Sequence, residues 1–358
     1  MYWVFIDILM KYNGLNLLYN YINMGIIMGL MLLDALRDIP TEYYDEEYNS
    51  ITLPQDHLFP GFITVLAAFC KKNKISERDF DTAGPDQSGY LRAIEYYKTL
   101  WGIDNYGPIR VNQGKNYSGL AHLDNEEQVD SATTCINSCI RAFIQGCKTP
   151  PPGLQELLFV VGELHDNVWS HGKASGFSLA QKTKNPLNRN DYIIEFALAD
   201  HGYGFLSELK RSKLTERFNI VSHRDALDWC LKEGNSSKHA DLYDGWEQSV
   251  PRDFNGYAFS SSVSVRDDDN NHQGLGLAHL IKLVEKYNGE LQIASGDVCL
   301  VINGHERNYV DLPVDWKGVA ISCRLSLEEL SNNKNEMDVE ADDDELFQIM
   351  TLLQSGDI

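Results

Sequence analysis

Glu163 and Asn167 stand four residues apart in Glu163-Leu-His-Asp-Asn167-Val-Trp-Ser-His171-Gly172. On a helix that spacing puts both on one face, a turn apart. A carboxylate there can orient a water or a hydroxyl for attack, as a general base does. An amide oxygen beside it can ligate a hard cation, which takes oxygen ligands. Asp166 and Ser170 crowd toward the same face. Polar groups on an apolar helix are costly unless paired or used. Taken alone, the spacing reads more simply as a solvated helix face.

Two further stretches carry chemistry of their own. Asp200-His-Gly202-Tyr-Gly204 follows the alternating run Tyr192–Leu198. A carboxylate where a strand ends, followed by two glycines, suits a ligand pressed against backbone; alone, it reads as a turn. Gln273-Gly274-Leu275-Gly276 opens an amphipathic helix that runs to Tyr287, with Gly289 as its expected C-cap. Glycines entering a helix leave free N–H groups and the positive dipole end outward, a phosphate-holding arrangement.

The elements that must position these residues follow from periodicity. A helix is predicted from Leu154 to Ser170, a short strand at Phe177–Gln181 and a half-buried strand at Tyr192–Leu198. Residues 205–273 are polar and glycine-punctuated, a length that reads as a lid. Within them Ser222-His-Arg-Asp225 is a capping box for a helix Ala226–Lys232. Strands at Glu290–Ala294, Val298–Ile302 and Val319–Leu327 close the unit. Earlier in the chain, Ile51–Leu53 and Pro108–Val111 read as strands, while Phe62–Phe69, Tyr90–Leu100 and Thr133–Ile144 read as helices. Pro150-Pro-Pro-Gly153 breaks the chain, giving an expected boundary between an N-terminal unit (1–150), a site-bearing unit (151–330) and a tail (331–358).

In this order, E-x-x-x-N, D-x-G-x-G after a strand, a variable insert and G-x-G opening a helix resemble the GHKL (histidine-kinase-like) ATPase superfamily over residues 154–327. In texture the chain is similar to the anti-sigma-factor serine kinases and their stand-alone bacterial relatives. The resemblance implies an α/β (α+β) fold: a two-layer sandwich of a mixed sheet with helices on one face and a long ATP lid. It implies ATP and Mg²⁺ as ligands. Asn167 would ligate Mg²⁺, and Asp200 would accept a hydrogen bond from the adenine amine, with Gly202 and Gly204 allowing close approach. Gly274, Leu275 and Gly276 would cradle phosphates, and Glu163 would polarise the attacking group. Asp166 and His171 would lie against the nucleotide, and Lys238 and Arg266 are the lid cations for the γ-phosphate. Lys317-Gly318-Val319 stands where many relatives carry Gly-Thr, so one supporting contact is missing.

Three functions fit that site. The first is an ATP-hydrolysing conformational switch working with a protein partner or as a homodimer. The second is a protein serine/threonine kinase, and the third a nucleotide-binding interaction module without turnover. A sensor histidine kinase is disfavoured, because no long dimerisation hairpin bearing a phosphoacceptor histidine precedes Leu154.

Composition narrows the setting. With 43% hydrophobic and 23% charged residues the 358-residue chain is globular in type. A net charge of −21 argues against general binding to nucleic-acid backbone, which depends on lysine and arginine. Seven cysteines without a C-x-x-C pair read as core thiols in a reducing, cytoplasmic setting, although Cys135 and Cys139 at i,i+4 also suit a soft metal. The charge-free span Tyr12–Leu33 approaches membrane-crossing length, but Asn13, Asn16, Asn20 and Asn23 favour a buried or dimer-forming helix. Glu336–Glu345 holds seven acids in ten residues and reads as a solvated spacer, or as the lead-in to a docking helix at Leu346–Leu353.

Overall fold

The computed structural model describes residues 29–143, 151–168, 175–232, 235 and 276–331. Two small sheets come first. Strands β1 (Gly29–Leu30) and β4 (His57–Leu58) pair in parallel, and β2 (Tyr44–Asp45), β3 (Ser50–Thr52) and β5 (Phe80–Asp81) form a three-stranded sheet. The main sheet has five strands: β6 (Ala121–Leu123), β7 (Gly176–Lys184), β8 (Tyr192–Asp200), β9 (Glu290–Asn303) and β10 (Glu306–Ser326). Their order is β6-β7-β8-β10-β9, and every neighbouring pair is antiparallel. The α+β class holds, but this sheet is antiparallel where a mixed one was expected. Short connections such as 185–191 and 304–305 return the chain directly, without the crossover that parallel pairing demands.

Helices α1 (Leu32–Asp38) and α2 (Pro60–Lys72) cover one face of this sheet. Helix α5 (Glu126–Ala142), α6 (Pro152–Asn167), α10 (Gly276–Lys286) and α11 (Leu327–Ser331) cover the other. Within residues 151–330 these sheet-covering helices share one face, as expected, and α1 and α2 of the preceding stretch add a layer on the other. The reason lies in α2, which is buried at every position from Pro60 to Ala68 and again at Cys70. A helix apolar all round has to be enclosed on all sides. Strand β8 is therefore buried on both faces instead of one. Ile194, Phe196 and Leu198 enter the core under α6 and α10, and Ala199 enters the core under α2.

Glu195 lies between them, 3% exposed. Its Oε1 accepts from the Gly61 N–H of α2 at 2.9 Å and from Ser322 Oγ at 3.0 Å, and its Oε2 lies 3.4 Å from Arg324 Nε. Gly61 is glycine because a Cβ there would sit 2.9 Å from Leu32 Cβ and 3.0 Å from Ser322 Cβ. The first turn of α2 thus rests directly on the sheet, with a carboxylate at its positive end.

Several local expectations change. The helix expected over Tyr90–Leu100 is two, α3 (Pro85–Ala93) and α4 (Tyr96–Trp101), separated at Glu95 with φ +65°. Pro108–Val111 forms no strand; Arg110 instead anchors a loop by donating to the carbonyls of Ala93 and Arg92 and pairing with Asp104. Residues 204–230, expected as part of the lid, fold into α7 (Gly204–Arg211), α8 (Leu214–Phe218) and α9 (His223–Cys230). They enclose a small core of Leu206, Leu209, Leu214, Ile220, Ala226 and Trp229. The Ser222–Asp225 capping box is present, with α9 starting at His223. The C-terminus of α10 takes its left-handed residue from Asn288 (φ 49°) where Gly289 was expected, and the Gly289 N–H returns to the Val284 carbonyl at 2.8 Å. Residues flanking 144–150 share one sheet and one core, since β6 pairs with β7 and α5 packs on α6. Among the described residues no helix is long and apolar enough to cross a membrane. The N-terminal span up to residue 28 and the acidic tail lie outside the described residues.

Candidate functional site

The C-terminal turn of α6, the end of β8, α7 and the first turn of α10 surround one cleft of about 880 Å³, its open mouth included. Asn167, Asp200, Gly204 and Gly276, all named by sequence, line it together.

Asp200 forms the floor and is 3% exposed. Its Oδ1 accepts from the Gly202 N–H at 2.6 Å, and the backbone N–H of Val319 lies close enough to favour the ionised carboxyl. Burial outweighs both donors and pushes its pKa up to about 7. Gly202 therefore orients the acid, while Gly204 turns the chain into α7 with φ +69°. Behind Asp200 runs Gly318 of β10, at φ +131°, where a Cβ would stand 2.2 Å from the Asp200 carbonyl oxygen.

Gly276 has a packing duty as well as a place in the lining. A Cβ on it would lie 2.8 Å from Glu163 Cβ, so α6 and α10 meet at this pair. Glu163 sits in this helix contact and is absent from the cleft lining. Asp166, a turn away, is exposed. His171, Lys238, Arg266, Gly274 and Leu275 lie outside the described residues. Gly276→Ala is expected to lower stability by about 1–3 kcal/mol through overpacking. Because the obstruction is Glu163 Cβ, adding Glu163→Gly should recover part of the loss and adding Glu163→Ala should not. Urea denaturation midpoints decide it, and equal rescue by both would remove the assignment.

The remaining lining was not foreseen. Phe205, Leu209, Trp229, Cys230, Val319 and Ile321 make most of the wall apolar. The signal was present as helical spacing at Phe205, Leu206 and Leu209, hidden inside a polar stretch. Glu208 also lines the cleft, 8% exposed, and takes both donors of Arg211 at 2.8 and 2.9 Å. No lysine or arginine lines the cleft among the described residues.

His165, between Glu163 and Asn167, faces away from the cleft. Its ring nitrogens lie 2.8 Å from Thr133 Oγ1 and 2.8 Å from Ser178 Oγ, and burial pushes its pKa down to about 3. It is a neutral core residue. Cys135 is exposed on α5 while Cys139 is buried, and among the described residues no cluster of three or more His, Cys, Asp or Glu side chains could hold a metal. No family model, curated protein or solved structure matches the chain.

Proposed function

We propose that the cleft binds Mg-ATP and that the protein works as a nucleotide-driven switch of the GHKL type, coupled to a protein partner or a second copy of itself in the cytoplasm. The observation that carries this reading is Asp200: a buried carboxyl at the floor of an apolar cleft with one face left to a ligand. Apolar walls and a buried acceptor suit a flat heterocycle with an amine, and they repel phosphate. The phosphates would then lie toward the first turn of α10, whose N-terminal end favours anions. Asn167 offers its amide oxygen to Mg²⁺ from α6, and phosphate oxygens would supply most other ligands, as is usual for that ion.

The placement of Glu163 favours one alternative. Set against Gly276 in a helix contact, it supports a nucleotide-binding interaction module without turnover as the second reading. A protein kinase would need Glu163 to reach a partner's hydroxyl.

Calorimetry with Mg-ATP tests the proposal. Wild type should bind, and Asp200→Ala and Asn167→Ala should each weaken binding at least tenfold. Hydrolysis lost in Glu163→Ala with binding kept supports the switch; binding without turnover in wild type supports the module. The pH dependence is a second check. With its pKa near 7, Asp200 is the stronger acceptor once it has released its proton, so affinity should fall below pH 7, by at most tenfold per unit, and level off above it. The fold responds in the opposite sense. A carboxyl raised from about 3.8 to about 7 by folding contributes stability at acid pH that is lost as pH rises through 7. ATP affinity that is flat from pH 5.5 to 8 would overturn the contact with Asp200.

A further inference from the structure

His201 follows Asp200 and points away from the cleft. Its Nδ1 lies 2.9 Å from the Lys317 carbonyl oxygen. A carbonyl only accepts, so Nδ1 carries the proton and Nε2 is the lone-pair nitrogen of a neutral ring. That Nε2 is buried and has no hydrogen-bond partner among the described residues. The ring packs on Trp316 at 4.1 Å between centroids, and Lys72 at the end of α2 is close enough to disfavour a positive charge on it.

The carbonyl that His201 holds belongs to an irregular part of β10. Regular pairing with β9 is shifted between Trp316 and Ala320, and the ladder with β8 begins only at Ala320 and Ala199. Of the three residues in the gap, Lys317 supplies the carbonyl that His201 holds, and Gly318 and Val319 pass beside Asp200. Gly318 lies against its carbonyl oxygen, and the nearby Val319 N–H favours its ionised form. Backbone in such a bulge is not fixed by a ladder and needs another restraint.

We infer that His201 is a positioning residue for the ligand floor: its Nδ1–H pins the Lys317–Val319 bulge and so keeps the Val319 N–H aimed at Asp200. The inference rests on the nucleotide reading for its consequence in binding, but its geometry can be tested without any ligand.

Two variants separate the hydrogen bond from the ring. His201→Phe keeps the packing on Trp316, removes the donor and removes the unpartnered Nε2. His201→Asn keeps an N–H close to the place of Nδ1 and removes the ring. The primary readouts are ligand-free: the Asp200 titration midpoint from ¹³C-labelled aspartate, and hydrogen exchange at the Val319 amide. The charged groups facing this region are Glu208 with Arg211 on α7, Lys72 on α2 and Lys317 on β10, and both variants leave them in place.

In His201→Phe the midpoint should rise by about half to one pH unit, the worth of one neutral hydrogen bond. Val319 exchange should quicken, with the thermal midpoint unchanged or higher. His201→Asn should restore both readouts toward wild type. Mg-ATP affinity should fall about three- to tenfold in His201→Phe and recover in His201→Asn. An unmoved midpoint and unmoved exchange in His201→Phe overturn the proposal. So does a His201→Asn variant that behaves like His201→Phe, since packing would then be the cause. If the ligand-free shifts occur but wild type does not bind Mg-ATP, the positioning role stands and the nucleotide reading falls.

Discussion

Glu195→Ala is expected to destabilise the fold by about 3–5 kcal/mol, the range for removing one partner of a buried ion pair. Three groups lose their acceptor at once: Arg324, the Ser322 hydroxyl and the Gly61 N–H in the first turn of α2. Arg324 keeps a second partner in Glu290 at 2.8 Å and stacks over Phe59, which limits the loss. Burial holds the Glu195 carboxyl above the usual glutamate range, against the pull of Arg324 and the two donors. Its contribution is accordingly present at acid pH and declines as pH rises through that elevated value. Glu195→Gln, which keeps an acceptor for Gly61 but not the charge, should fall between wild type and Ala. Arg324→Met added to Glu195→Ala should recover part of the loss by removing a partly buried charge that has lost one of its two carboxylates. Urea midpoints at constant slope give these differences. A Glu195→Ala variant within 1 kcal/mol of wild type would mean that α2 is held by apolar packing alone.

The second large effect is expected at Gly318. Gly318→Ala meets two obstacles, a backbone at φ +131° and the Asp200 carbonyl 2.2 Å from the new Cβ. Strain in such a backbone region and overpacking each cost about 1–3 kcal/mol, so a loss of roughly 2–4 kcal/mol is expected. Gly102→Ala is the matched control: its φ is +72°, but nothing lies within 4 Å of the added carbon. Gly102→Ala should therefore cost only the strain of a left-handed backbone, and the excess at Gly318 measures the contact with Asp200 together with the added strain of φ +131°. Thermal denaturation reads the stability, and Mg-ATP titration of the surviving folded protein reads the cleft. Equal losses at the two glycines would show that Asp200 moves aside freely.

Gly318 also accounts for the departure at Lys317-Gly318-Val319. The sequence pattern pointed to a missing threonine there, whereas the geometry assigns the constraint to the glycine.

What the chain shows on its own is what repeats locally. The apolar spacing of Leu154, Leu157, Val161 and Leu164 marks α6, and the alternation from Tyr192 marks β8. The capping box at Ser222 and Asp225 marks the start of α9 from four consecutive residues. Asp200 and Asn167 were legible as chemistry because polar groups at the ends of apolar elements need a purpose. Their convergence on one cleft was an expectation from their order in the chain, and the fold brings them together.

The tertiary structure alone decided the rest, where the partners lie far apart in sequence. Glu195 and Gly61 are 134 residues apart, and no local pattern tells a solvent-facing glutamate on a strand from one that receives a buried helix. Gly276 reads as a phosphate glycine by its motif, and only the crossing of α6 and α10 shows that it must also admit Glu163 Cβ. His201 looks like filler between an acid and a glycine until β10 returns, 116 residues later, to place the Lys317 carbonyl against its ring. Periodicity is a property of neighbours along the chain, whereas close approach depends on which surfaces folding brings together.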